Sequence, residues 1–177
     1  QFKINNLGQV EWMLGISVSS DKSNNVLKLQ QNKYINDMLE RYGMRWCNTA
    51  NSPMAVWPVR PTGNKLLLDE SAQYRSLIGS LLYVSTCTRP DVSFAVSFLS
   101  RFMTEPEHQH WIAAKRILRY LKGTVQHGLV FSGSNNVPNI LQGYSDSDWG
   151  NDSNRCSTSG YVFTMKGISE LEFSARA

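Results

Sequence analysis

Apolar positions along the chain change spacing twice, from alternating to helical and back, and those changes outline the expected fold. Residues 11–19 (EWMLGISVS) and 26–30 (VLKLQ) are apolar or alternating runs on either side of a polar stretch at 21–25, the pattern of a β-hairpin. Tyr34, Ile35, Met38 and Leu39 then repeat at helical spacing, which predicts a helix over 33–42 with Asn32 as its N-cap and Gly43 as its stop. Residues 44–70 carry Pro53, Pro58, Pro61 and Gly63 without a sustained period, and read as a linker or a strap crossing the surface.

Three further helical patterns follow. Tyr74, Leu77, Ile78, Leu81 and Leu82 form one stripe, with Asp69 and Glu70 placed to favour the positive end of the helix dipole. Thr88 and Asp91 read as a capping-box-like pair, with Pro90 in the first turn, ahead of Val92, Ala95, Val96, Leu99 and Phe102. A third start after Thr104-Glu105-Pro106 leads into Trp111, Ala114, Ile117, Leu118 and Leu121, flanked by Lys115, Arg119 and Lys122. Beyond Gly123 the runs at 128–131, 141–145 and 160–165 are short and strand-like, split by Ser, Gly and Asn turns.

The expected architecture is therefore α+β: an N-terminal β-hairpin and helix over 1–43, a linker or strap over 44–70, a three-helix bundle over 71–124 and a small antiparallel sheet over 125–177.

Composition agrees with a folded chain. At 177 residues with 41% hydrophobic and 11% aromatic content, there is enough apolar surface for a real core. Cys47, Cys87 and Cys156 are odd in number and far apart, which argues against a disulfide framework and for a reducing intracellular compartment, cytoplasm or nucleus, with an organelle left open. No apolar run reaches membrane-spanning length, and the first residues carry neither a signal-peptide block nor an initiator Met, so the chain is expected to begin inside a longer product. The net charge of +4 is modest, but residues 71–122 hold seven Lys/Arg against three Asp/Glu, an excess equal to the whole-chain value. A basic helical segment favours phosphate contacts through counterion release; ordinary charge scatter on a soluble surface is the competing reading.

The order of motifs resembles one family, the Pol polyprotein of copia-type LTR retrotransposons. Trp12-Met13-Leu14-Gly15 is similar to the primer grip of reverse transcriptases, and Arg41-Tyr42-Gly43-Met44 stands at the end of the next helix, where copia-type elements place the same phrase. The run 77–83 (LIGSLLY) resembles the thumb helix laid against the minor groove of the template–primer. Thr88-Arg89-Pro90-Asp91 and the string 114–124 (AKRILRYLKGT) are characteristic of the same family. The resemblance implies nucleic-acid contacts at Trp12, Met13 and Gly15 near the primer, at Gly79 and Tyr83 in the groove, and at Lys115, Arg116, Arg119 and Lys122 on phosphates.

Residues 143–150 (GYSDSDWG) and 157–163 (STSGYVF) look like the first two strands of the copia-type ribonuclease H domain. In that fold four carboxylates hold two divalent metal ions, magnesium in the complete parent enzyme, and Asp146 matches the first of them. Asp148 and Asp152 are nearby acids that read more simply as solvated turn residues. The resemblance places the other nuclease carboxylates after Ala177 and the paired polymerase aspartates before Gln1. The tail after residue 169 departs from the family pattern.

The chain alone is thus expected to have no cofactor and no complete catalytic site. Its expected role is a fragment of a reverse transcriptase/ribonuclease H that contacts an RNA–DNA hybrid or a DNA duplex. The alternative is a domesticated remnant acting as a structural or protein-interaction subunit, with a protein partner or self-association covering its ends. His108 and His110 flank Gln109 without a third ligand nearby, and His127 is isolated, so these histidines do not make a metal site.

Overall fold

The computed structural model describes residues 8–55, 63–133, 140–149, 157–166 and 175–176. Within them the chain is mixed α and β, with four α-helices and two antiparallel sheets.

The N-terminal run folds more tightly than alternation suggested. Residues 11–19 were expected as one strand, but they form β1 (Trp12–Met13) and β2 (Ile16–Asp21), joined at Leu14 and Gly15. Both turn residues have positive φ, 50° and 79°, the backbone that a two-residue hairpin needs to match strand twist. Met13 therefore faces Ile16, and Trp12 faces Ser17. Strand β3 (Val26–Gln30) pairs with β2 across the expected polar turn, where the Asp21 carboxylate accepts hydrogen bonds from Ser23 and Asn24. Those bonds hold the Asp21 carboxyl down at about 2.

Helix α1 (Asn32–Arg41) corrects the cap assignment: Gln31 occupies the N-cap position, no side chain caps it, and Asn32 is already helical. Its end is as expected. Gly43, at φ 66°, lets its own amide reach Glu40 O while the Met44 amide reaches Leu39 O, the paired bonds of a Schellman stop. Met44 and Leu39, the residues that motif brings together, are both buried.

The remaining helices are α2 (Leu68–Cys87), α3 (Ser93–Ser100) and α4 (His108–Gly123), with a single 3₁₀ turn at Pro90–Val92 before α3. Glu70 accepts the Leu67 amide at the start of α2, so the acidic first turn acts as expected. The Thr88–Asp91 capping box does not form. The Thr88 hydroxyl instead donates to Gln31 Oε1 at 2.7 Å, and Asp91 pairs with Arg89. Both side chains are drawn into long-range or buried contacts that local sequence spacing does not encode.

The expected three-helix bundle is a four-helix core, because Ile35, Met38 and Leu39 of α1 join Tyr74, Leu77, Ile78 and Leu81 of α2, Val96 and Leu99 of α3, and Ala114, Ile117, Leu118 and Leu121 of α4 in one buried cluster. Each fully buried Leu or Ile there contributes on the order of 2 kcal/mol relative to exposure. Tyr74 sits at its centre, donating to the Leu99 carbonyl at 2.7 Å, and burial pushes its phenol well above the usual range.

Strand β4 (Leu129–Ser132) also departs from expectation. It does not join the C-terminal sheet but pairs with β3, from Leu29 with Leu129 to Val26 with Ser132, giving the sheet order β1-β2-β3-β4. Gly128 makes this possible: a Cβ there would sit 2.2 Å from the Leu29 carbonyl oxygen. The second sheet, β5 (Ile140–Asp148), β6 (Thr158–Lys166) and β7 (Ala175–Arg176), is an antiparallel meander. In it Phe163 lies across Gly143, its directly paired residue, in the space a side chain would fill.

Candidate nucleic-acid interface

The β1–β2 turn and helix α2 meet through one hydrogen bond. The Tyr83 hydroxyl donates to the Leu14 carbonyl, and the Tyr34 ring from α1 packs edge-on against Tyr83 with centroids 5.3 Å apart. Gly15 lies over the same Tyr34 ring, where a Cβ would stand 3.8 Å from Cδ2. Three elements distant in sequence therefore share one aromatic joint.

The surface outside that joint is apolar and open. Trp12 is 48% exposed, Met13 55% and Leu14 79%, and Lys33 Nζ stands 6.0 Å from the Trp12 ring centroid. Gly79 lies one turn before Tyr83 on α2, is exposed, and has open space where a side chain would project. Burial, followed by the influence of Cys87, raises the Tyr83 phenol above its ordinary value. The structure thus brings Trp12, Met13, Gly15, Gly79 and Tyr83, expected at two separate contacts, onto neighbouring elements.

The α4 cations are arranged differently. Lys122 Nζ donates to Cys47 O at 2.6 Å, Arg119 Nε to Asn48 O at 2.7 Å, and Arg116 to Ser52 Oγ at 3.1 Å. These bonds run along the strap, which closes against the helix where Gly123 approaches Thr49. Lys115 instead lies 4.8 Å over the Trp111 ring. The contacts of Arg116, Arg119 and Lys122 run to the strap rather than to the hairpin turn.

Asp146 sits on β5 opposite Gly160 and is exposed. Asp148 is on the same strand, with its side chain outside the described set, and Asp152 lies outside the described residues. Among the described residues no three His, Cys, Asp or Glu side chains gather as metal ligands. His108, His110 and His127 likewise belong to no such group. His110 is buried against Phe102, ring centroids 4.0 Å apart, and its Nδ1 accepts the Glu107 amide, so it closes the first turn of α4.

Sequence reasoning missed Leu14 and Tyr34. A Leu-Gly pair inside an apolar run was the available signal for a turn at Leu14. Nothing local marks Tyr34 as a partner of Tyr83.

Comparison with known proteins places these motifs. The Pol polyprotein of transposon TNT 1-94 from Nicotiana tabacum is 38% identical to this chain, over 94% of the chain and 13% of the relative. That of transposon RE1 from Arabidopsis thaliana is 37% identical over 92% of the chain and 11% of the relative. An uncharacterized mitochondrial protein of Arabidopsis thaliana is 35% identical over 99% of the chain and 70% of its own length. The chain belongs to the retrovirus-related Pol polyprotein family of copia-type transposons. It spans about one-eighth of the length of the Pol polyproteins it matches, 13% and 11% for the two above. No family model and no solved structure matches the chain. Among the described residues, no helix is long and apolar enough to cross a membrane.

Proposed function

We propose that this copia-type Pol segment is the palm-edge, thumb and connection portion of a reverse transcriptase, and that it holds a template–primer duplex on the surface formed by the β1–β2 turn and α2. The observation that carries the reading is the Tyr83–Leu14 hydrogen bond, which sets the exposed Trp12, Met13 and Leu14 beside the open α2 face at Gly79. Such a surface suits sugars and base edges better than phosphates: aromatic and apolar groups stack, while an unobstructed helix backbone permits close approach. Lys33, beside Trp12, supplies a cation at its border. Arg116, Arg119 and Lys122 act first as strap clamps in this reading, so any phosphate contact uses their remaining donors or Lys115, which lies over Trp111.

The antiparallel order β5-β6-β7, with Asp146 on its first strand, supports reading the second sheet as the opening strands of a ribonuclease H unit. Asp146 is then one ligand of a site whose other members are not among the described donors.

Filter binding of an RNA–DNA hybrid tests the proposal. Affinity should fall as salt rises, and Trp12→Ala should weaken binding by about tenfold, the value of one lost stacking contact. Binding that is undetectable, or indifferent to both salt and Trp12, overturns it.

A further inference from the structure

A cleft of about 410 Å³ opens between strands β3 and β4, the α2–α3 connection and the end of α4. That volume is within the range of small-molecule sites. None of its lining residues belongs to the hairpin and α2 surface, so it is a separate feature.

One wall is rigid. Arg89, 1% exposed, grips Asp91 through two bonds, Nε to Oδ1 at 3.0 Å and Nη2 to Oδ2 at 2.7 Å, and its Nη1 donates to Thr124 O at 2.8 Å. The Tyr120 hydroxyl donates to the same Asp91 Oδ2 at 2.8 Å. Burial works against the Asp91 charge, but the Arg89 bonds and charge, with the Tyr120 bond, outweigh it and keep the carboxyl below the usual range. The charges of Arg89 and Asp91 are therefore spent on each other, and this wall keeps its shape.

The opposite side has chemistry to spare. Lys28 on β3 and His127 before β4 both line the cleft, and among the described residues neither side chain has a hydrogen-bond or ion-pair partner. Pro90 and Val130, the latter paired with Lys28 and on its face of the sheet, add an apolar surface between them and the rigid wall. With Arg89 and Asp91 neutralised, Lys28 makes the cleft positive, and the His127 ring nitrogens add hydrogen-bonding capacity beside it.

We infer that this cleft binds a phosphate-bearing ligand of mononucleotide size, its phosphate held by Lys28 and His127 and its ring resting on Pro90 and Val130. The phosphate can come from a free mononucleotide or from the phosphorylated end of a nucleic-acid strand. The inference does not depend on the duplex surface proposed above.

Amide NMR of the full chain titrated with AMP, with adenosine, and with a short single strand carrying a terminal phosphate or a terminal hydroxyl tests it. Saturable shifts at Lys28, His127, Gly128 and Leu129 with AMP support a free-nucleotide site. The same shifts with the phosphorylated strand alone support a strand-end site. Lys28→Ala and His127→Gln, neither in the core, should each weaken binding by about tenfold, the scale of one charge-assisted contact. Lys22→Ala, on the distant β2–β3 turn, should not. Equal shifts from adenosine and AMP, or none at these amides from either phosphorylated ligand at millimolar concentration, overturn the inference.

Discussion

The Tyr83 hydroxyl donates to the Leu14 carbonyl, tying a helix to a hairpin turn 69 residues away in sequence. Tyr83→Phe keeps the ring against Tyr34 but removes this bond. The expected loss of stability is about 1 kcal/mol by urea unfolding. If the bond sets the turn for duplex binding, hybrid affinity should fall by more than that stability change explains, because a freed turn must be ordered again on binding.

Leu14 holds φ 50° while 79% exposed, a backbone a leucine rarely adopts and a position where its side chain buries little. Leu14→Asn should raise the urea midpoint, with relief on the order of 1 kcal/mol, since asparagine tolerates the left-handed region. The same substitution should weaken hybrid binding if the exposed leucine is kept for contact. A gain in stability paired with lost binding is the pattern of strain held at a functional site.

Gly128→Ala places a Cβ 2.2 Å from the Leu29 carbonyl, and the obstacle is backbone rather than a movable side chain. Pairing of β4 with β3 should be lost locally. Destabilisation of about 3 kcal/mol or more is expected, at the upper end for overpacking. Thermal melts check this, and Gly79→Ala, which meets only open space inside α2, serves as the comparison and should instead stabilise by about 0.5–1 kcal/mol.

Much of this architecture was legible in the chain, and the exceptions share a physical cause. Helical stripes such as Ile35, Met38 and Leu39 repeat locally and face one core, so periodicity found α1 and the helices after it. The Gly43 stop was legible because a positive φ beside a helix end strongly favours glycine. What escaped was non-local. Val26–Gln30 pairs with a strand about a hundred residues later, a pairing no local pattern encodes, with the close approach of Gly128 at one end and the Gly133 amide bonded to Asn25 O at the other. Thr88 and Asp91 have the right spacing for a cap, but buried Gln31 and Arg89 offered stronger partners. In the candidate site, Trp12, Gly79 and Tyr83 were found through family resemblance, whereas the role of Leu14 depends on a bond no local pattern encodes. Phosphate contacts for the α4 cations Lys115, Arg116, Arg119 and Lys122 are what the family resemblance and the basic helical segment imply. The bonds of Arg116, Arg119 and Lys122 to the strap at 47–52 appear only once the strap is folded down.

His110 supplies a pH dependence. Burial, partly opposed by the Glu107 charge, lowers its pKa below the ordinary value of 6.5. In the folded state the ring stays neutral, accepting the Glu107 amide and stacking on Phe102. A base with a lowered folded pKa contributes its full stability above the unfolded value and loses it as pH falls through the interval down to the folded one. The urea midpoint should therefore drop as pH falls below about 6.5. His110→Phe should lower the midpoint at neutral pH through loss of the cap, yet flatten this dependence.

Amide hydrogen exchange on the chain, free and bound to an RNA–DNA hybrid, tests the central claim most directly. The duplex surface predicts new protection at the turn amides 12–15 and along α2 around residues 79–83, lost together in Tyr83→Phe. Protection confined to the second sheet or to the strap, or no protection anywhere, would contradict it.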